Sequence, residues 1–157
     1  MRDLPHILAV YLEIDAELEG LRSNASAAGD INRVQQIESR QRINDQAYFV
    51  LCWGQLETAI DDKCRDAIRN RQQSGNWVVR RAWDLYNPDD PRLSGLRFED
   101  RTALVLDQRG GGGSPWAKVM GYYALRNQIA HGELLARRIS VDDVVKDFFQ
   151  IQSVLQG

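Results

Sequence analysis

The residues best suited to chemistry lie in Arg126-Asn127-Gln128-Ile129-Ala130-His131, at the end of an otherwise apolar segment. Successive residues of an α-helix are about 100° apart, which places Asn127 and His131 one turn apart on one face, offset by about 40°. Arg126 flanks them. We therefore expect the three side chains to point into one cleft.

This combination of side chains suits the cleavage of a phosphodiester. The reaction calls for a fixed cation at the phosphate, a hydrogen-bonding amide, and a group that titrates near neutrality. RNA carries its own nucleophile, the 2′-hydroxyl, so that no metal ion is strictly required. The sequence has only two histidines, His6 and His131, and no CxxC or HExxH pattern. We accordingly expect neither a metal site nor a cofactor.

Helices must position these residues, because apolar side chains recur every three or four positions and strand patterns are scarce. Capping and stop signals predict a first helix from Asp3 to about Arg22, a polar connector over 23–29, and a long second helix from Asp30 to about Gln72. They predict further helices over 77–86, from Ser114-Pro115 to Gly132, and from Ser140, with Asp143 completing a capping box. Residues 98–106 suit either a short helix or a strand.

These elements predict an all-α fold, an up-and-down bundle of four to six helices in one domain over residues 1–157. The second half of the long helix carries the densest apolar face and should form the centre of the core. Asn87-Pro88-Asp89-Asp90-Pro91 stops the helical pattern, which predicts an irregular insertion around residues 86–113.

Length, charge and apolar content exclude several classes of function. With 157 residues, 43% of them hydrophobic, the chain is too short for a two-domain enzyme. A net charge of -2, from 20 basic and 22 acidic residues, excludes binding of nucleic acid or membrane by bulk charge. No apolar run reaches the ~18 residues of a membrane span and the start lacks a signal-peptide core, so we predict a cytoplasmic protein with no membrane partner. Cys52 and Cys64 lie 12 positions apart in one helical pattern and are expected to be buried thiols.

The motif resembles that of the HEPN family, the higher eukaryotes and prokaryotes nucleotide-binding helical domains. Nuclease members carry an arginine, usually a polar residue, and then a histidine four to six positions after the arginine. Arg126-Asn127 and His131 match this pattern, followed by Gly132. Phe49-Val50-Leu51-Cys52-Trp53-Gly54-Gln55-Leu56-Glu57 is similar to the helix that packs beside the motif helix in such proteins, and the likeness covers roughly Ile43 to Gly132.

The resemblance implies a metal-independent endoribonuclease that leaves a 2′,3′-cyclic phosphate, with a role in defence or stress response. Its active site would be shared by two protomers of a homodimer, with RNA as substrate and an unidentified antitoxin or regulatory protein as a further partner. Arg126 would bind the scissile phosphate and His131 would transfer protons. Asn127 would orient either the phosphate or His131. Glu57 would support the site as the charge partner of Arg126. Toxins paired with nucleotidyltransferases carry a tyrosine two places after the histidine, where this chain has Glu133, so modification by such an antitoxin is not expected.

Other interpretations remain open from the sequence. Cations near a helix C-terminus also bond the last free carbonyls, which would make Arg126 and His131 structural. The same fold serves as a non-catalytic module that binds RNA, a nucleotide or a protein, and an apolar surface would suit a subunit of a larger assembly. Arginines at positions 65, 69, 71, 80, 81, 137 and 138 would form either an RNA-binding rim or a salt-bridged surface.

Overall fold

The computed structural model describes residues 1–157 as six helices with no strand. The helices are α1 (Leu4–Ala27), α2 (Ile31–Gln72), α3 (Trp77–Trp83), α4 (Phe98–Val105), α5 (Pro115–Ala130) and α6 (Val141–Gln156). The predicted all-α helical bundle is thereby confirmed, and the number of helices lies within the predicted range.

Helix α2 is the centre of the bundle and contacts each of the other five helices. Its second half contributes the buried side chains of Phe49, Cys52, Trp53, Leu56 and Ile60 to the main core. This confirms the predicted position of the core. Cys52 and Cys64 are buried free thiols, and burial raises the pKa of each to about 11.

Aromatic contacts hold α5, the helix that carries the motif, against α2. The ring of Trp53 lies 6.0 Å from that of Tyr123, and Tyr123 lies 4.6 Å from Phe98 of α4. The ring of the adjacent Tyr122 lies 6.1 Å from that of Phe49, also on α2. Such pairs add about 0.5–1.5 kcal/mol each beyond the area they bury, so α5 is anchored along its inner face.

The end of α1 differs from the sequence-based prediction, whereas its start agrees with it. The helix continues to Ala27 rather than ending near Arg22, because Ala25 is buried and keeps this polar stretch packed. Gly29, with a φ of 72°, then reverses the chain, and the Asp30 carboxylate caps α2 as predicted by accepting the Arg33 N–H at 2.9 Å. Asp3 is the N-cap residue of α1 as predicted, but its carboxylate makes no capping hydrogen bond.

The insertion around 86–113 is more regular than predicted, because it contains α4. Residues 98–105 are helical, and the strand alternative is wrong: Phe98 and Thr102, one turn apart, are both buried on one helical face. Helix α3 ends at Trp83, short of the predicted Tyr86. Between them, Leu93 adopts a φ of 47° while its side chain packs on Cys64 and Ile68 of α2.

The starts of α5 and α6 follow the predicted capping signals with one exception. Ser114 caps α5 by accepting the Ala117 N–H at 3.2 Å, and Pro115 takes the first helical position. Ser140 caps α6 by accepting the Asp143 N–H at 3.4 Å. Only this half of the predicted capping box forms, because the Asp143 carboxylate accepts from Lys146 instead of returning a bond to Ser140.

Candidate active site at the end of α5

The motif lies at a tightly closed helix end. His131 is the C-cap of α5, and its N–H donates to the Asn127 carbonyl at 3.0 Å. The N–H groups of Gly132 and Glu133 donate to the carbonyls of Ile129 and Gln128, which is a Schellman motif. Gly132 makes this possible by adopting a φ of 86°, a backbone region that other residues rarely occupy. Hydrogen bonds of the main chain therefore fix the backbone position of His131.

The structure brings Arg126 and Asn127 into direct contact. The Arg126 guanidinium donates through Nη1 to Oδ1 of Asn127 at 3.1 Å, and both side chains are half-buried. His131 is exposed to solvent and lies one turn beyond Asn127. The contact between Arg126 and Asn127 is thus observed, whereas the convergence of all three side chains on one cleft stays a prediction.

Arg126 has no carboxylate partner. Of the other half-buried arginines, Arg22, Arg65 and Arg101 each pair with a carboxylate, the last through Nη1 at 2.6 Å from Asp61, whereas Arg33 and Arg42 form no salt bridge. The Asn127 amide oxygen carries no net charge, so it orients the Arg126 guanidinium without neutralising it. A half-buried guanidinium in this state attracts anions, and its planar fork fits a phosphate group.

The expected ion pair between Glu57 and Arg126 is not formed. Glu57 is half-buried on α2 and accepts the indole Nε1–H of Trp53 at 3.1 Å. No hydrogen bond or salt bridge joins it to the motif. Helical spacing placed Glu57 at the edge of the apolar stripe, but the indole one turn earlier on the same helix is its partner.

Sequence reasoning missed the residues that hold the segment following the motif. Asp45 and Gln46 are buried in α2, at 0% and 3% exposure. Gln46 Oε1 accepts the Leu135 N–H at 3.3 Å, while Asp45 pairs with Arg138 and accepts the Ile139 N–H at 3.1 Å. The available signal was a pair of polar residues within the long helix, one turn before its densest apolar face.

Three of the seven arginine positions form salt bridges, while Arg71, Arg80, Arg81 and Arg137 form none. Arg65 pairs with Asp62, Arg69 pairs with Asp66 and Asp89, and Arg138 pairs with Asp15 and Asp45. These pairs confirm the salt-bridged interpretation for Arg65, Arg69 and Arg138. Arg137, next to Arg138, is exposed and its side chain makes no hydrogen bond within the protein.

Histidine, cysteine, aspartate and glutamate side chains nowhere form a group of three or more that could hold a metal ion. None of the six helices combines the length and apolar character needed to cross a membrane. No protein-family model, curated protein or solved structure matches the chain. Only the motif and its geometry therefore bear on the function of the chain.

Proposed function

We propose that the chain is a metal-independent endoribonuclease of HEPN type that acts as a homodimer. The observation that carries this proposal is the half-buried Arg126 guanidinium, which lacks a carboxylate partner and bonds to the Asn127 amide. A structural cation would be expected to pair with an acid or to bond the carbonyls at the helix end. Backbone N–H groups instead satisfy these carbonyls, the last helical bond that of Asn127 and the Schellman bonds those of Gln128 and Ile129.

Each side chain has a role in the proposed reaction. Arg126 binds the scissile phosphate and stabilises the charge that develops on its oxygens, and Asn127 holds the guanidinium in place. The 2′-oxygen of the RNA attacks phosphorus, the bond from phosphorus to the 5′-oxygen breaks, and the product strand ends in a 2′,3′-cyclic phosphate. The proton of the 2′-hydroxyl passes to one imidazole, and a protonated imidazole gives a proton to the departing 5′-oxygen.

This proton balance favours a shared site. The reaction uses one base and one acid, whereas each motif contributes a single histidine, His131. Two copies related by a two-fold axis supply both imidazoles and two guanidinium groups. Exposed apolar side chains beside the motif support such pairing, since Leu134 is 72% exposed and Val50 is 37% exposed. Val50 lies one turn after Gln46 on α2, and Gln46 accepts the N–H of Leu135, the neighbour of Leu134.

The test is cleavage of an unstructured RNA in the presence of a chelator. We expect the native protein to cut and to leave a cyclic phosphate end, while His131→Ala and Arg126→Ala lose at least about a hundredfold in rate, the contribution of a general acid or base or of one charge-stabilising group. His6→Ala and Arg109→Ala are matched controls, because both residues are exposed and their side chains make no hydrogen bond. Both controls should retain native activity.

Absence of cleavage by the native protein would overturn the enzymatic proposal. RNA binding without cleavage would instead identify the non-catalytic module of the same fold. Equal activity of native protein and His131→Ala would exclude the imidazole from the reaction. Light scattering completes the test, because a monomer that cleaves RNA would contradict the shared site.

A further inference from the structure

A groove of about 350 Å³ runs along the outer side of α5, between this helix, α6 and the connecting segment. Lys118, Tyr122 and Gln128 line it from α5, Asp147 lines it from α6, and Arg137 lines it from the connection. Its lining therefore combines two cations, one carboxylate and a primary amide.

The carboxylate of the groove is already engaged. Asp147 Oδ1 accepts from Lys118 Nζ at 2.5 Å, and Oδ2 accepts from the Tyr122 hydroxyl at 2.7 Å. Burial alone would raise the pKa of Asp147, but the hydrogen bonds from Lys118 and Tyr122 hold it below its ordinary value. Asp147 and Lys118 neutralise each other, so the remaining charge of the groove is that of Arg137.

Arg137 is directed to the groove because its neighbour is held elsewhere. Arg138 is bound to Asp45 on α2 and to Asp15 on α1. The two adjacent arginines of this non-helical segment thus have separate environments, one in an acidic cluster and the other exposed beside α5. The guanidinium of Arg137 makes no hydrogen bond or salt bridge within the protein and is free to bind an anion.

The groove reaches the last turn of α5, near His131, although Arg126, Asn127 and His131 do not line it. Gln128 lies three positions before His131, so the two side chains are neighbours on the exposed side of the last turn of α5. The side-chain amide of Gln128 makes no hydrogen bond within the protein. From Gln128 the groove follows α5 back to Lys118, a rise of about 15 Å for ten residues. A strand leaving His131 along this path passes Gln128 and Arg137.

We infer that this groove binds the phosphate backbone of the RNA strand that flanks the scissile bond, with Arg137 as its phosphate-binding residue. The inference rests on the proposed function and extends it to a second point of attachment for the substrate. An arginine fork matches a phosphate group bidentately, and backbone contacts of this kind position a strand without reading its sequence. Gln128 adds a neutral donor between Arg137 and the reacting phosphate.

The test uses His131→Ala, which prevents cleavage, and a fluorescently labelled unstructured RNA whose binding is followed by anisotropy at several salt concentrations. Adding Arg137→Ala is expected to weaken binding about tenfold, the effect of removing one charged hydrogen bond. The slope of log affinity against log salt should become shallower by about 0.7 for each phosphate of a single strand that the protein no longer neutralises. Arg137→Lys should restore the salt slope, because it restores the charge.

Arg109→Ala in the same background is the matched control, since Arg109 is an exposed arginine in the loop before α5 whose side chain makes no hydrogen bond. Equal RNA affinity and salt slope for the Arg137→Ala and Arg109→Ala variants would overturn the subsite. Absence of RNA binding by the His131→Ala protein would overturn it as well. Preference of the groove for an acidic peptide over RNA would also contradict the inference. Cleavage by the native protein tests the proposed function separately, so that its failure can be distinguished from failure of the groove to bind RNA.

Discussion

Arg138 and Asp45 form a bidentate ion pair between residues 93 positions apart. Nε and Nη2 of Arg138 donate to Oδ2 and Oδ1 of Asp45 at 2.9 and 2.8 Å. The Asp45 side chain is only 1% exposed and also accepts from the Tyr11 hydroxyl at 2.9 Å and from the Ile139 N–H at 3.1 Å. One carboxylate therefore joins α1, α2 and the segment that follows the candidate active site.

Replacing this carboxylate should destabilise the whole bundle. We predict that Asp45→Ala lowers the free energy of unfolding by about 2–4 kcal/mol, since it leaves the Tyr11 hydroxyl and the Ile139 N–H without their acceptor and leaves Arg138 paired with Asp15 alone. Urea denaturation measures the change. Asp62→Asn is the control, because it removes an exposed pair with Arg65 and should have little effect. Equal stability of the two variants would contradict this prediction, because it would mean that water or repacked side chains compensate for the lost carboxylate.

The backbone conformation of Gly132 is the basis of a second prediction. Gly132→Ala should lower the free energy of unfolding by about 1–2 kcal/mol, because an alanine at a φ of 86° is strained even though its Cβ would meet no atom within 4 Å. The variant should also cleave RNA more slowly, since the Schellman bonds that fix His131 are weakened. Gly20→Ala, at an exposed position inside α1, should instead stabilise the protein by about 0.5–1 kcal/mol. Thermal unfolding distinguishes the two, and a stable Gly132→Ala would show that the helix end tolerates another geometry.

Acid should loosen the turn around Leu93. Asp90 accepts the N–H groups of Ser94 at 2.7 Å and Arg92 at 3.0 Å, and these bonds lower its pKa from 3.8 to about 2. A depressed carboxylate pKa stabilises the fold above the ordinary value, and this contribution disappears as the pH falls from about 4 towards 2. We therefore predict that the amide protons of Arg92 and Ser94 are less protected from hydrogen exchange at pH 2 than at pH 5. Protection here means the intrinsic exchange rate at each pH divided by the observed rate, compared with that of amides in α2. Asp90→Ala should remove this pH dependence, and exchange that does not respond to acid would contradict the assignment.

A structural feature could be predicted from the sequence when the residues that determine it are close together along the chain. The caps at Asp30 and Ser114 were predictable because the bonds span three residues. The continuation of α1 past Arg22 was not, because the burial of Ala25 is decided by packing between helices rather than by its polar neighbours.

The candidate site divides in the same way. Spacing along one helix was sufficient to place Arg126, Asn127 and His131 at one end of α5. It was insufficient to predict their surroundings. Glu57 bonds to an indole on its own helix, and Asp45 finds its cation 93 positions away, neither of which a periodic pattern specifies. Local spacing thus predicted where the candidate residues lie, while the residues that hold their surroundings in place were not predictable without the tertiary structure.

The proposed shared site makes a prediction about mixed dimers. A dimer of one native and one His131→Ala chain, isolated by sequential affinity to two different tags, has one imidazole where the reaction needs a base and an acid. Its cleavage rate should fall at least about a hundredfold below that of the native dimer, because a single proton-transfer group contributes about 10²–10⁴ in rate. If each protomer contained a complete site, the mixed dimer would retain half of the native rate. A mixed dimer of native and His6→Ala chains, prepared identically, should cleave at the native rate and exclude damage from the tags.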